Sequence, residues 1–205
     1  MKKQNEMEAE QRLIQAAGEV FGEKGYKAAT AREITHRAET NLAAINYYFR
    51  GKKGLYSAAL RHAVSQLLRQ NEDIDEAAPP EEQLYAIVHE RLVHFLDPSI
   101  PRWYGQILAR EIASPSQSLN IVTKDLFLPR IHLMKRIVSQ LSGKRPGERQ
   151  LSLISLSIIS QCSYYRQAAP LIERLFPKLH PSKNIAEIAR HITDFSLAGL
   201  RASLN

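Results

Sequence analysis

Two helix-start signals eleven residues apart, Thr30 and Asn41, constrain this chain more than anything else in its 205 residues. Thr30-Ala-Arg-Glu33 is a capping box: the threonine hydroxyl can accept from the amide three residues on while Glu33 reaches back. Asn41 is a strong N-cap for a helix over Leu42 to Tyr48, which Gly51 can close. Ahead of both, residues 6–24 place Leu13, Ala16, Ala17, Val20 and Phe21 on one helical stripe, and Gly25 is a good residue to end it. The helix that Thr30 opens runs to about Ala38. Three helices, the last two short and separated by about three residues, make a helix-turn-helix arrangement.

The remainder also reads as helix. Prolines at 79–80, 98, 101, 115, 129, 146, 170, 177 and 181 punctuate it, and the segments between carry helical period. Helices are expected over Gly54 to about Asp75 and over 81–96, 102–113, 117–142, 147–168 and 184–203, the last opened by a capping box at Asn184-Ile-Ala-Glu187. Residues 151–162, LSLISLSIISQC, partly alternate apolar and serine, a strand-like signal. The pattern continues unbroken from Leu151 to Ala169, too long for a strand, so a helix is expected. The chain is therefore read as all-α: an N-terminal three-helix domain with the helix-turn-helix over residues 1–55, then a larger helical domain over 56–205, with the long fourth helix joining them. An apolar content of 44% is enough for a core.

The formal net charge of +7 favours a polyanionic partner. Cys162 is the single cysteine, which excludes a disulfide framework within the chain. MKKQNEMEAEQ at the start has no apolar stretch of a signal peptide, and no run of about 18 apolar residues exists to span a membrane. A cytoplasmic protein is expected. His89-Glu90 followed by His94 has HExxxH spacing, which puts the histidines on different sides of a helix, unlike a zinc-binding HExxH. Gly51-Lys-Lys-Gly54 has neither the strand nor the ending of a phosphate-binding loop. No metal, no cofactor and no catalytic constellation are expected.

Residues 41–56, NLAAINYYFRGKKGLY, carry the function. In a helix-turn-helix the second helix enters the major groove, its first residues meet base edges, and flanking groups grip phosphates. Asn41 and the amides of the helix start suit a phosphate. Ala43, Ala44 and Tyr47 share one face, where small residues allow close approach and an alanine methyl can meet a thymine methyl. Tyr48 and Lys52 are placed for phosphate oxygens. Arg32 can reach a guanine edge, and Thr30 at the start of the preceding helix joins the set. Ile45 and Phe49, four apart, should pack inward on Phe21 and Ile34. The competing reading is a basic helical module that binds an anionic membrane surface or a protein partner without touching DNA.

FGEKGYKAATAREITHRAETNLAAINYYFRGKKGLY, within residues 10–56, resembles the N-terminal domain of TetR/AcrR-type transcriptional regulators. The match lies in Phe-x-x-x-Gly-Tyr, Thr-x-x-x-Ile and Tyr-Tyr-Phe-x-x-Lys-x-x-Leu. Glu39 departs from the glycine usual in that turn, and Asn46 from a frequent tyrosine. ILAREIASPSQSL (107–119), Pro129-Arg130 and ISQCSYYRQAAPLIERL (159–175) resemble a CerR-type ligand domain. The resemblance implies an all-helical homodimeric regulator, by default a repressor, released from a double-stranded operator when its C-terminal domain binds a small molecule. For that inducer, expected to be aromatic or amphiphilic, the candidate pocket residues are Trp103, Tyr104, Ile107, Arg110, Phe127, Met134, Tyr164 and Tyr165, with Glu111, His132 and Arg166 nearby. For the dimer, Ile185, Ile188, Ile192 and Phe195 form one stripe and Leu151, Ile154 and Ile158 another, which two copies can pair into a four-helix bundle.

Overall fold

The computed structural model describes residues 2–69, 74–143 and 146–203, and every regular element among them is helical. In chain order these are α1 (Lys2–Ala28), α2 (Ala31–Arg37), α3 (Leu42–Phe49), α4 (Lys52–Arg69), α5 (Pro80–Leu96), α6 (Arg102–Ala113), α7 (Leu119–Ile121), a π-type turn (Val122–Phe127), α8 (Leu128–Leu141), α9 (Glu148–Gln167), α10 (Ala169–Leu175) and α11 (Ile185–Ser203). They form two compact units, Met1–Arg69 with Pro101–Phe127, and Gln70–Ile100 with Leu128–Asn205.

In the first unit the local signals act as the sequence implies. Gly25 takes φ 80° and ψ 168°, which breaks α1 where a side chain would resist. The Thr30 hydroxyl accepts from the Glu33 amide at 3.1 Å, and Asn41 Oδ1 accepts from the Ala44 amide at 3.0 Å. Satisfying those two amides fixes where α2 and α3 begin. Their inner faces, Ile34, Ile45 and Phe49, join Leu13, Ala17, Val20 and Phe21 of α1 and Leu55, Ala59 and Leu60 of α4 in one core. Each of the larger side chains among them, the alanines excepted, contributes about 1.5–3 kcal/mol by leaving water.

α6 belongs to this unit and lies on α1. A Cβ on Gly18 would sit 2.2 Å from the Trp103 ring, so glycine is what lets the indole seat there. Ile107 and Leu108 of α6 continue the same core.

The second unit buries Leu84, Val88 and Leu92 of α5 against Met134, Ile137 and Val138 of α8, Ile158 and Cys162 of α9, and Ile188, Ala189 and Ile192 of α11. Residues 151–162 are helical. Ser152, Ser157 and Ser163 donate their hydroxyls to the carbonyls of Glu148, Leu153 and Ile159 at 2.9–3.0 Å, so polar side chains sit in the helix without seeking a strand partner.

The observed elements differ from the expected ones in places. The long helix expected over 117–142 is broken into α7, the wide turn and α8. Pro129 has no N–H to donate back and its ring crowds the carbonyl four residues earlier, so the turns before it widen. The fourth helix, expected to about Asp75, is described to Arg69; residues 70–73 lie outside the described residues, and Ile74 and Asp75 are not helical. The short α10, opened by Pro170, was not read from the sequence.

Candidate nucleic-acid interface

The fold turns the outer face of α3 to the surface. Ile45 and Phe49 are buried while Tyr47 is 74% and Leu42 56% exposed, with Asn41, Ala43 and Asn46 exposed beside them. A tyrosine that open on a helix anchored from below is not there to fill a core. Tyr48 is half-buried, its ring edge-on to Tyr47 at 4.8 Å. Thr30 and Arg32 are exposed at the start of α2, and Ala44 is half-buried.

RGKKG makes the corner that presents this face. Arg50 closes α3 in the left-handed region at φ 57°, and Gly51 follows at φ 109°. Gly54 has no room for a side chain: a Cβ there would lie 1.8 Å from the Phe49 carbonyl oxygen. α4 can therefore start tight against the end of α3. Lys52 is half-buried with its ammonium 4.6 Å from the centroid of the Tyr26 ring, held by cation–π attraction at the rim of the α3 face. Lys53 donates to Gln117 Oε1 at 2.5 Å.

The turn between α2 and α3 carries Glu39 in place of the glycine usual in the family it resembles. Glu39 takes φ 52°, a left-handed conformation that costs a non-glycine residue. Arg12 Nε donates to the Ala38 carbonyl at 3.2 Å and ties that turn to α1. Arg37 donates to Glu23 from its two terminal nitrogens, Nη1 and Nη2, at 2.9 and 3.1 Å, and Lys24 meets Glu33 at 2.7 Å. The hydrogen bond from Arg37 holds the Glu23 carboxyl below its ordinary range. None of these α1–α2 braces was legible in the sequence, because the residues share no helix face and no local spacing.

α6 is fastened behind this surface. Arg110 donates to the carbonyls of Gly22 and Glu23, the former at 2.6 Å, and so caps the end of the first straight stretch of α1. The buried Glu111 accepts from the Tyr56 hydroxyl at 2.7 Å and from the amide and hydroxyl of Ser116, both at 2.8 Å. Burial, with Glu111 beside it, pushes the Tyr56 phenol well above its usual range. Ser57 and Ser118 hydroxyls meet at 3.1 Å.

The residues expected to line a pocket fall into both units. Trp103 and Ile107 are core of the first unit, Tyr104 and Phe127 are half-buried against it, and Arg110 serves α1. Met134 is core of the second unit, Tyr165 is half-buried and Tyr164 is 55% exposed. His132 is exposed, and Arg166 lies 5.4 Å from the Phe95 ring centroid. The second unit does hold a cavity of about 480 Å³, lined by Ile74, Tyr85, Ala86, His89, Glu90, Val93, Asp97, Ser99 and Ile100.

Of the residues expected at the dimer interface, Ile158, Ile188 and Ile192 are buried within their own chain, Leu151, Ile154 and Ile185 are half-buried, and Phe195 is 64% exposed. The apolar side chains that α9 leaves open are Leu153 and Leu156, at 58% and 57%, with Tyr164 beyond them. Inward and outward stripes on one helix look alike in sequence when both are apolar.

Comparison with known proteins places both halves. Residues 13–59 match the family described as bacterial regulatory proteins, tetR family. Residues 80–200 match the C-terminal domain of the HTH-type transcriptional dual regulator CecR. The HTH-type transcriptional regulator BetI of Brucella canis is 29% identical over 140 residues, covering 66% of this chain and 71% of its own. The HTH-type transcriptional dual regulator CecR of Shigella flexneri is 26% identical over 170 residues, covering 78% and 76%. A crystal structure of AibR in complex with isovaleryl coenzyme A and operator DNA superimposes with a TM-score of 0.72 at 14% identity, over 91% of this chain and 97% of that one.

Proposed function

The chain belongs to the TetR family of bacterial regulatory proteins, with a CecR-type domain as its second half, and on that premise we propose how it works: α3 reads operator DNA and a small molecule bound in the second unit releases it. The chain is a DNA-binding transcriptional regulator. The observation that carries the mechanism is Tyr47, 74% exposed on a helix whose opposite side is core. Tyr47, Leu42, Ala43 and Ala44 meet base edges. Asn41, Tyr48 and Lys52 take phosphates, with Thr30 and Arg32 on the neighbouring strand's backbone and base edges.

The DNA-reading part is residues 1–55 and the ligand and dimer part is residues 56–205. The ligand site is the cavity of the second unit, whose volume of about 480 Å³ and mostly apolar wall with a few polar groups suit a small amphiphilic molecule. Two copies pair through α9 and α11, with Phe195, Leu153 and Leu156 in the seam, because one copy reads only half of a two-fold operator. Repression, relieved by the inducer, is the mode of action. The protein acts in the cytoplasm, where its DNA is, and carries out no catalysis. Among the described residues no helix is long and apolar enough to cross a membrane.

Fluorescence anisotropy on duplex DNA, run beside binding to vesicles with an anionic lipid surface, tests the reading. Binding to DNA with loss of sequence preference in Tyr47→Ala supports it. Equal binding of wild type and Tyr47→Ala, or preference for vesicles, sinks it.

A further inference from the structure

Among the described residues, one cluster in the second unit sets two guanidinium groups against a single carboxylate. Glu90 and Arg91 are neighbours on α5, His94 stands one turn on, and Arg130 comes from α8. Arg130 Nη2 reaches Glu90 Oε1 at 3.1 Å, each side chain only 17% exposed. The same oxygen lies 3.5 Å from His94 Nδ1. Glu90 is thus taken by Arg130. Arg91, half-buried on the same helix, has no carboxylate within ion-pairing distance among the described residues, although the charges of Glu90 and Arg130 lie close enough to be felt. From α9 the group that Arg91 feels is Cys162, a buried thiol that burial keeps protonated by raising it to about 11. Burial depresses both guanidinium groups and drives the His94 ring down to about 4, so the imidazole is neutral and adds no charge of its own.

A second observation points the same way. The His94 side chain is 6% exposed, and its Nε2 has no hydrogen-bond partner among the described residues. A buried ring nitrogen without a partner costs what its lost water was worth, and a half-buried guanidinium without a paired anion adds a desolvation cost of its own. Both costs fall if a ligand brings an anionic oxygen. Glu90 also forms part of the cavity wall, while the other carboxylate on that wall among the described residues, Asp97, accepts from the Ser99 amide at 2.8 Å.

We infer that the Arg91, Arg130 and His94 cluster, beside the cavity that Glu90 borders, is the recognition site for the anionic head of the ligand, a carboxylate or phosphate joined to an apolar body. The inference deepens the ligand-responsive reading and rests on it for its biological meaning. The cavity takes the apolar body, and the guanidinium of Arg91 supplies the two parallel N–H donors that such a head requires.

The test is the thermal midpoint of the full-length protein against three probes of one shape and different charge, benzoate, benzamide and benzamidine, with inorganic phosphate at matched ionic strength as a fourth. Wild type and Arg91→Met are compared. Benzoate or phosphate is expected to raise the wild-type midpoint, neither neutral nor cationic probe is expected to match it, and the shift is expected to vanish in Arg91→Met. A larger benzoate shift than phosphate shift assigns the head to a carboxylate, and the reverse assigns it to a phosphate. Without any probe, Arg91→Met is expected to leave the midpoint unchanged or raised. A fall of more than about 3 °C shows a structural arginine and overturns the inference. No shift with either anion, a shift equal in both proteins, or a larger shift with benzamidine overturns it too. DNA binding is followed in parallel: its absence in wild type would sink the regulator reading and leave anion binding standing, while failure of the probes with DNA binding intact does the opposite.

Discussion

Tyr47 and Phe49 sit two residues apart and do opposite things. Phe49→Ala opens a hole in the first unit's core and is expected to cost about 3–5 kcal/mol in urea unfolding. Tyr47→Ala removes a side chain 74% exposed and is expected to stay within about 0.5 kcal/mol of wild type while altering which DNA sequences bind. A Tyr47→Ala protein that unfolds like Phe49→Ala would mean the ring is structural. At the turn, Glu39→Gly is expected to stabilise by about 0.5–1 kcal/mol, since glycine adopts φ 52° without the clash that Glu39 tolerates. His94 sets a pH dependence. Its folded-state pKa, lowered to about 4 by burial and by Arg130 and Arg91, lies below the ordinary 6.5. The unfolded chain therefore takes up that proton first, and stability falls as pH drops from about 6.5 to about 4. Glu90 on the same helix is shifted up by burial and works in the opposite sense, so the readout is a difference: His94→Gln should lose on the order of 1–3 kcal/mol less than wild type across that window. Parallel curves for the two proteins would remove His94 from the account.

At the scale of elements, the chain's short-range signals carried most of the fold. Thr30, Asn41 and Gly25 act through their own backbone within four residues, so the boundaries of α2, α3 and the break in α1 were legible. Pro129 was legible as a punctuation mark but not as the cause of six residues of widened turn, which depends on what the neighbouring helices tolerate. Arg110 and Glu111 show the limit most clearly. As letters among aromatics they resemble a pocket's polar groups, and in the fold they fasten α6 to the Gly22 and Glu23 carbonyls and to Tyr56. Long-range partners of this kind leave no periodic trace. Gly18 and Gly54 are legible only afterwards, as the places where one helix must touch another. Gly54→Ala would drive a methyl to 1.8 Å from the Phe49 carbonyl and is expected to cost more than about 2 kcal/mol and to weaken DNA binding by moving α3. Tyr56→Phe, which leaves the buried Glu111 short of one donor, is expected to cost about 1–3 kcal/mol by urea unfolding. A variant as stable as wild type would show that the Glu111 carboxylate does not depend on that bond.

At the scale of the whole molecule, a helix-turn-helix that holds one Tyr47 reads one half-site, and a regulator of this build needs two. Leu156→Glu together with Phe195→Glu places charge on exposed apolar positions of α9 and α11, at 57% and 64% exposure, without disturbing either core. Sedimentation is expected to show that double variant as a monomer where wild type is a dimer. A wild type that is already monomeric at micromolar concentration contradicts the pairing. The central claim is that α3 reads sequence in duplex DNA, and selection of bound duplexes from a random pool tests it most directly. The account predicts enrichment of one two-fold symmetric motif whose half-sites lie about one helical turn or more apart, and loss of that enrichment in Tyr47→Ala. A pool that emerges unenriched, or enriched identically by Tyr47→Ala, would contradict it.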